Sequence, residues 1–234
     1  MILFVNGDSN AAGYEMVPPG TTFDVMEQKP IPPLTRDEML AYQAANRWST
    51  LVSKQFGWSC CNIACPGSSN GKIFRTTLQW ISENLSNLRD HFVIVGWSAV
   101  TRREYFLEKN NHWNDFGLNF KPVHQIEQKA FESLVSPRQG FIELWQYKAS
   151  LHNILKNHGV PHLFFNSYEA PSLVYGSYLR NLIDEDIIIN TVMAEYCREK
   201  NCRVGRGGHF LEDGHAAWAE EIIKNIRRVY EKTT

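Results

Sequence analysis

The amino-acid sequence predicts an α/β fold in which a parallel sheet lies between two layers of helices. Short apolar runs that suit buried strands alternate with longer segments of helical periodicity along the 234 residues, and this alternation is typical of parallel sheets with right-handed crossovers. The clearest strand is HFVIVG, at residues 91–96. We therefore expect a three-layer α/β/α sandwich with the doubly wound strand order 2-1-3-4-5. No linker divides the chain, so residues 1–234 are predicted to form a single domain.

Each strand is predicted from a short apolar run that ends in a turn or loop. In chain order, the five predicted strands are residues 2–5, 60–64, 91–96, 160–167 and a short segment at 202–204. Helices are predicted where apolar residues recur at helical spacing, at residues 37–56, 72–88, 141–157, 187–200 and 214–230. The region 97–139 gives no clear assignment.

Composition excludes several classes of partner. The formal net charge is -1 and there is no long basic run, which argues against nucleic acid. The apolar segments are too short to cross a bilayer, and the first does not resemble a signal peptide, so we expect a cytoplasmic protein that does not act at a membrane. The five cysteines are expected to be free thiols, and their spacing predicts no metal site. The oligomeric state is not predicted.

A candidate nucleophile follows the first strand, where NGDSN places Ser9 in a turn. The carboxyl ends of parallel strands are where such sheets bind ligands. A serine hydroxyl needs a base to take its proton, and His209 in the late segment GGHFLEDGH is the candidate base. On position alone, the favoured interpretation of Ser9 is a helix N-cap or a turn residue.

Three segments together resemble a known family. NGDSN, NIACPGSSN and HFLEDGH occur in the order of the sequence blocks of the GDSL-type, or SGNH, serine esterases. The resemblance implies the SGNH hydrolase fold, with a flavodoxin-like sheet, and a hydrolase that needs neither metal nor organic cofactor. It makes Ser9 the nucleophile and His209 the general base. It also makes the backbone N–H groups of Ser9 and Gly67 donors to the oxyanion that ester cleavage creates.

Two positions depart from the family pattern. Ser98 stands where the family usually has an asparagine that donates to the oxyanion, and Asn70 is an alternative donor. Arg206 stands where an aspartate usually precedes the catalytic histidine. Three solutions remain open for the missing acid. A backbone carbonyl could accept from His209, an acid could come from elsewhere with Glu212 and Asp213 nearest in sequence, or His215 could be the base instead.

A rival serine lies in GSSNG, residues 67–71. Ser69 fits the G-x-S-x-G pattern of the nucleophile elbow, but that elbow normally follows more strands than the two predicted here. We therefore prefer Ser9.

Aromatic and basic residues after the third strand suggest the substrate. Trp97 and Arg102 suit stacking on a sugar and binding of an anionic group. A surface helix with a solvated basic face explains the same residues at least as well. The favoured function is a serine esterase that hydrolyses a short-chain O-acyl ester, with carbohydrate O-acetyl groups as the favoured substrate. The alternative is a catalytically weakened SGNH scaffold that binds a glycan or a protein.

Overall fold

The computed structural model describes residues 1–24, 29–31, 33–107, 112–116, 136–172 and 174–231. Its centre is a five-stranded, all-parallel sheet. The strands of this sheet are β1 (Ile2–Asn6), β4 (Ser59–Asn62), β5 (His91–Trp97), β8 (His162–Asn166) and β9 (Ile188–Val192). They lie side by side in the order β4-β1-β5-β8-β9. Counted along the chain this is 2-1-3-4-5, so the predicted fold class and strand order are confirmed.

Helices and two small hairpins complete the described elements. The α-helices are α1 (Ser9–Ala12), α2 (Arg36–Asn46), α3 (Trp48–Phe56), α4 (Asn70–Glu83), α5 (Pro137–Asn157), α6 (Met193–Glu199) and α7 (Glu212–Glu231). The 3₁₀ helices are Leu85–Asp90, Ser177–Leu182 and Glu185–Ile187. The hairpins pair β2 (Thr22–Asp24) with β3 (Lys29–Ile31) and β6 (Arg103–Leu107) with β7 (His112–Phe116). In the part of the chain that the structure describes, no helix has the length and apolar character to cross a bilayer.

Two sequence-based assignments were wrong. The fifth strand is Ile188–Val192, inside the segment predicted as a helix, whereas Val204 makes only an isolated bridge to Phe210. The apolar residues of this strand are followed directly by helix α6, so the two segments together show one continuous helical periodicity. The predicted helix 37–56 is two helices, because Arg47 adopts extended backbone angles between them.

Each face of the sheet packs against its own group of helices. Alternation along β1 sends Leu3 and Val5 to one face and Phe4 to the other, as the pleat requires. The first face contacts α3 and α7 through Trp48 and Trp218. The second face contacts α4 and α5 through a separate cluster of buried residues, including Ile73, Trp80, Leu144 and Leu151. These two cores fix the strands whose carboxyl ends form the site.

The carboxyl end of β1 is tightly constrained. Asn6 donates from Nδ2 to the Ile73 carbonyl at 3.0 Å, and its Oδ1 accepts the N–H of Gly7 at 2.8 Å. A Cβ on Gly7 would lie 2.7 Å from the Ala11 Cβ and 3.0 Å from the Gly96 carbonyl oxygen. Only glycine therefore lets β1 turn into helix α1 so close to strand β5.

Candidate active site

Ser9 is the first residue of helix α1, directly after the carboxyl end of β1. Asp8 caps this helix by accepting the N–H of Asn10 at 2.9 Å. Ser9 is 2% exposed, and its Oγ is held between two partners, His209 Nε2 at 2.8 Å and the Tyr168 hydroxyl at 3.0 Å. The structure therefore brings together Ser9 and His209, which sequence analysis had paired.

Glu15 is the carboxylate that contacts His209. Its Oε2 lies 3.0 Å from His209 Nδ1 and accepts the backbone N–H of His209 at 3.1 Å, while its Oε1 accepts the N–H of Gly207 at 2.7 Å. Burial acts to raise the pKa of Glu15, but the hydrogen bonds from His209 and Gly207 outweigh it and lower that pKa below the usual value. Glu15 is therefore an ionised acceptor near neutral pH.

Sequence analysis missed Glu15, because it searched for the acid near the histidine. Glu15 lies instead in the loop that follows α1, at a positive φ of 69°. A non-glycine residue in this conformation is strained, and such strain is concentrated at functional sites. The one sequence signal is that Glu15 is the first acidic residue after Ser9.

The hydrogen bonds define the proton positions in this chain of groups. A carboxylate can only accept, so His209 Nδ1 carries the ring proton that it donates to Glu15. His209 Nε2 is then the acceptor, and the Ser9 hydroxyl donates to it. This arrangement can take the proton of Ser9 onto His209 while Glu15 stabilises the imidazolium that forms.

Arg102 contacts Ser98, Tyr168 and Asp8. Its Nη1 donates to Ser98 Oγ at 2.8 Å, its Nη2 donates to the Tyr168 hydroxyl at 3.4 Å, and its guanidinium stacks on the Tyr168 ring at 4.9 Å. Its Nη1 is 3.9 Å from the buried carboxylate of Asp8. Burial raises the pKa of Asp8, although the charge of Arg102 acts in the opposite direction.

The loop that carries Gly67 is attached to the Ser9 turn. Cys65 donates its N–H to the Gly7 carbonyl at 3.1 Å, and Ser68 donates to the Cys65 carbonyl at 3.2 Å. Gly67 lies between them at a φ of 81°. This loop therefore brings the predicted Gly67 donor to the carboxyl end of β1.

The amide of Asn70 is committed to another partner. It accepts the Ser98 N–H at 2.8 Å through Oδ1 and donates to the Ser98 carbonyl at 3.0 Å through Nδ2. Asn70 thus fixes the backbone of Ser98 through Oδ1 and one of its two amide N–H groups. The Ser98 hydroxyl is itself an acceptor from Arg102.

Four other predicted residues lie away from the Ser9–His209 pair. Trp97 is 0% exposed and packs in the core against Phe164, so its ring cannot stack on a substrate. His215 is buried, its Nδ1 accepts the N–H of Trp48 at 3.3 Å, and burial lowers its pKa to about 3. Glu212 and Asp213 bind Arg203 instead.

Ser69, the rival serine, caps helix α4. It is 0% exposed, and its Oγ accepts the N–H of Lys72 at 3.2 Å.

Among the described residues, no three His, Cys, Asp or Glu side chains are grouped to hold a metal ion, and the five cysteines are free thiols.

Comparison with known sequences gives a family without a known activity. Residues 32–232 match the family described as "Family of unknown function (DUF6071)". None of the curated protein sequences matches the chain.

Solved structures show a similar fold at low sequence identity. The psychrotrophic esterase EstA from Pseudoalteromonas sp. is similar with a TM-score of 0.54 and 11% identity, over 98% of each chain. LAE5, an alpha/beta hydrolase from the metagenome of Lake Arreo, has a TM-score of 0.52 and 12% identity, over 97% of this chain and 95% of that one. A family two carbohydrate esterase with a carbohydrate-binding domain from Corynascus thermopiles has a TM-score of 0.51 and 13% identity, and the match covers 98% of this chain but only 66% of that one.

Proposed function

The chain belongs to this family of unknown function, DUF6071, and for it we propose a serine ester hydrolase activity. The observation that carries the proposal is the chain of hydrogen bonds from Ser9 through His209 to Glu15. Such a nucleophile, base and acid in series are recognised by geometry and not by sequence order. That the similar folds include esterases adds support.

In the proposed reaction Ser9 attacks the ester carbonyl. The bond from Ser9 Oγ to the carbonyl carbon forms, the carbonyl π electrons move onto its oxygen, and the Ser9 proton passes to His209 Nε2. When the intermediate collapses, the bond to the alkoxy oxygen breaks and the departing alcohol takes that proton. Water then attacks the acyl-serine with His209 as the base, which releases the acid and restores Ser9.

The oxyanion requires donors that are already in place. The N–H of Ser9 is suited to this, because the first residue of a helix has no intrahelical acceptor for its N–H. Gly67 would supply the second N–H from the loop that Cys65 attaches to Gly7. Donors of this kind each contribute about 2.7–4 kcal/mol to transition-state stabilisation.

For the substrate we propose a short-chain O-acyl ester, with carbohydrate O-acetyl groups as the favoured class. The prediction that Arg102 binds the substrate is supported by its hydrogen bond to the Tyr168 hydroxyl, which itself contacts Ser9 Oγ. The family two carbohydrate esterase among the similar structures favours a sugar as the alcohol. The alternative function, a weakened scaffold that only binds, was suggested by the missing asparagine and the missing aspartate, and the contact of Glu15 with His209 argues against the second of these reasons.

The activity is tested with 4-nitrophenyl acetate and an organophosphonate probe on the wild type and two matched serine variants. We expect Ser9→Ala to lose kcat by at least about 10⁴-fold and to escape labelling. Ser69→Ala should keep its kcat and lose about 1 kcal/mol of stability, because a helix cap is removed. Equal rates in the wild type and Ser9→Ala would refute the esterase, and loss only in Ser69→Ala would transfer the role to Ser69.

The substrate class needs its own measurement. Acetylated xylo-oligosaccharides, 4-nitrophenyl acetate and 4-nitrophenyl octanoate are compared by kcat/KM. The proposal expects the acetylated sugar to be the best substrate and the octanoate the poorest. A preference for the octanoate would contradict the short-chain assignment and leave the Ser9 mechanism intact.

A further inference from the structure

We infer that Tyr168 is a catalytic residue whose hydroxyl donates the third hydrogen bond to the oxyanion, with Arg102 holding it in place. This inference rests on the proposed esterase function. The contacts that support it are those of the Tyr168 hydroxyl with Ser9 Oγ at 3.0 Å and with Arg102 Nη2 at 3.4 Å.

Tyr168 is placed by the carboxyl end of strand β8. Its neighbours in the chain bind residues at the carboxyl ends of β5 and β1. Ser167 donates its N–H to the Trp97 carbonyl at 2.8 Å and its Oγ to Asp8 at 3.3 Å. Glu169 accepts the N–H of Val100 at 2.9 Å. The backbone on both sides of Tyr168 is therefore fixed before any substrate arrives, as preorganisation requires.

The direction of the Tyr168 proton follows from its neighbours. In the neutral imidazole with its proton on Nδ1, Nε2 can only accept, so the single hydroxyl proton of Ser9 is donated to it. The contact between Ser9 and Tyr168 must then use the Tyr168 O–H as donor and Ser9 Oγ as acceptor. Burial and the nearby charge of Asp8 raise the pKa of Tyr168 above its usual value, so the phenol keeps the proton it donates.

Arg102 strengthens this donor. Its guanidinium lies over the Tyr168 ring at 4.9 Å and donates to the hydroxyl oxygen. A cation that donates to a phenol oxygen polarises the O–H bond and makes it a better donor. The Asp8 carboxylate is 3.9 Å from Arg102 Nη1 and forms an ion pair with the guanidinium.

During attack the acceptor of this bond changes and no further proton is transferred. Ser9 Oγ becomes bonded to the carbonyl carbon, and negative charge develops on the oxygen attached to that same carbon. The Tyr168 O–H, which points at Oγ in the free protein, then lies next to the developing charge. Tyr168 keeps its proton throughout, so the proton balance of the Ser9 and His209 steps is unchanged.

The residues that the family pattern offers for this role make no hydrogen bond to Ser9 in the described part of the chain. Ser98 Oγ accepts from Arg102 at 2.8 Å, and the Asn70 amide is bonded to the Ser98 backbone through Oδ1 and one of its two N–H groups. Besides His209, the side chain that contacts Ser9 Oγ among the described residues is Tyr168. Its hydroxyl is therefore a side-chain donor that already lies at the reacting oxygen.

The test is Tyr168→Phe, which removes the hydroxyl and keeps the ring. We expect kcat with 4-nitrophenyl acetate to fall by about 10²–10³-fold, the loss typical of one oxyanion donor, with KM changed less than threefold. Tyr178→Phe is the matched control, because Tyr178 is 68% exposed, and it should keep wild-type kcat. Thermal melting shows that both variants are folded.

The outcomes separate this inference from the proposed function. If the wild type hydrolyses the ester and Ser9→Ala does not, but Tyr168→Phe keeps or exceeds the wild-type kcat, only the role of Tyr168 is refuted. A rise in KM at unchanged kcat would also refute it, because that change indicates ground-state binding. If the wild type is inactive and Ser9 is not labelled, the esterase itself fails.

Discussion

The carboxylate of Glu15 makes two hydrogen bonds to His209, one to its backbone N–H at 3.1 Å and one to its ring Nδ1 at 3.0 Å. A third bond, from the N–H of Gly207, fixes the loop that leads to the histidine. One side chain therefore sets both the position of the loop and the orientation of the imidazole. In the proposed mechanism the acid comes from the loop beside the nucleophile and leaves position 206 to an arginine.

Replacement of Glu15 by glutamine should disable the proposed base, His209, because it removes the carboxylate charge and keeps the size and shape of the side chain. The amide can present an N–H to His209 Nδ1, which favours the wrong tautomer and leaves the imidazolium without a counter-charge. We expect kcat to fall by roughly 10³–10⁴-fold, measured with 4-nitrophenyl acetate. Glu212→Gln is the matched control, because Glu212 binds Tyr42 and Arg203 instead. A large loss in Glu212→Gln with little loss in Glu15→Gln would reverse the assignment of the acid.

Gly207 should tolerate no side chain, because a Cβ there would meet the carboxylate of Glu15. The added atom would lie 2.8 Å from Glu15 Cδ and closer still to Oε1. Gly207→Ala should therefore displace Glu15, lower kcat by at least about tenfold and cost roughly 1–3 kcal/mol of stability. Gly71→Ala is the control, since its nearest atom, Glu104 Oε1, is 3.4 Å away. Activity and urea unfolding are measured for both. Wild-type kcat in Gly207→Ala would show that the Glu15 contact is dispensable.

Lys148 should make stability rise with pH above neutrality. It is fully buried and donates to Asn166 at 2.9 Å. Burial, with a smaller effect of Arg180, lowers its pKa from 10.5 to about 7. Between these values the unfolded chain binds the proton and the folded chain does not, so the free energy of unfolding increases with pH.

Comparison with Lys148→Met isolates that effect, because other titrating groups cancel in the difference. The stability of the wild type minus that of the variant should rise by up to about 1.4 kcal/mol per pH unit between pH 7 and 10. Urea unfolding at pH 7, 8 and 9 measures it. A difference that stays flat with pH would show that Lys148 is not held neutral.

His215 should be a structural residue. Its Nδ1 accepts the N–H of Trp48, and its pKa of about 3 keeps it neutral. We expect His215→Leu to cost about 1–3 kcal/mol, because that buried N–H loses its partner, and to keep most of the kcat of the folded protein. His209→Leu is the comparison and should lose kcat with a smaller effect on stability. The opposite pattern would make His215 the base.

The sequence predicted the sheet well because its strands are short, apolar and bounded by turns. It failed at Ile188–Val192, where strand and helix share one apolar run and only tertiary pairing with β8 distinguishes them. Ser9 and His209 were identifiable because their blocks carry a recognisable order. Glu15 and Tyr168 were not identifiable, because neither lies in a recognisable sequence block. Only their contacts in the folded chain, Glu15 with His209 and Tyr168 with Ser9, indicate a role.

The hydrogen bonds from His209 to Ser9 and to Glu15 span 200 and 194 residues of chain. During synthesis, the proposed nucleophile and acid therefore emerge long before the segment that carries the proposed base, His209. An amino-terminal fragment that ends before His209 should not react with the phosphonate probe, even if its part of the sheet has formed. Labelling of Ser9 would then report the docking of the His209 loop, so the probe can measure when this late step of folding occurs, on or off the ribosome.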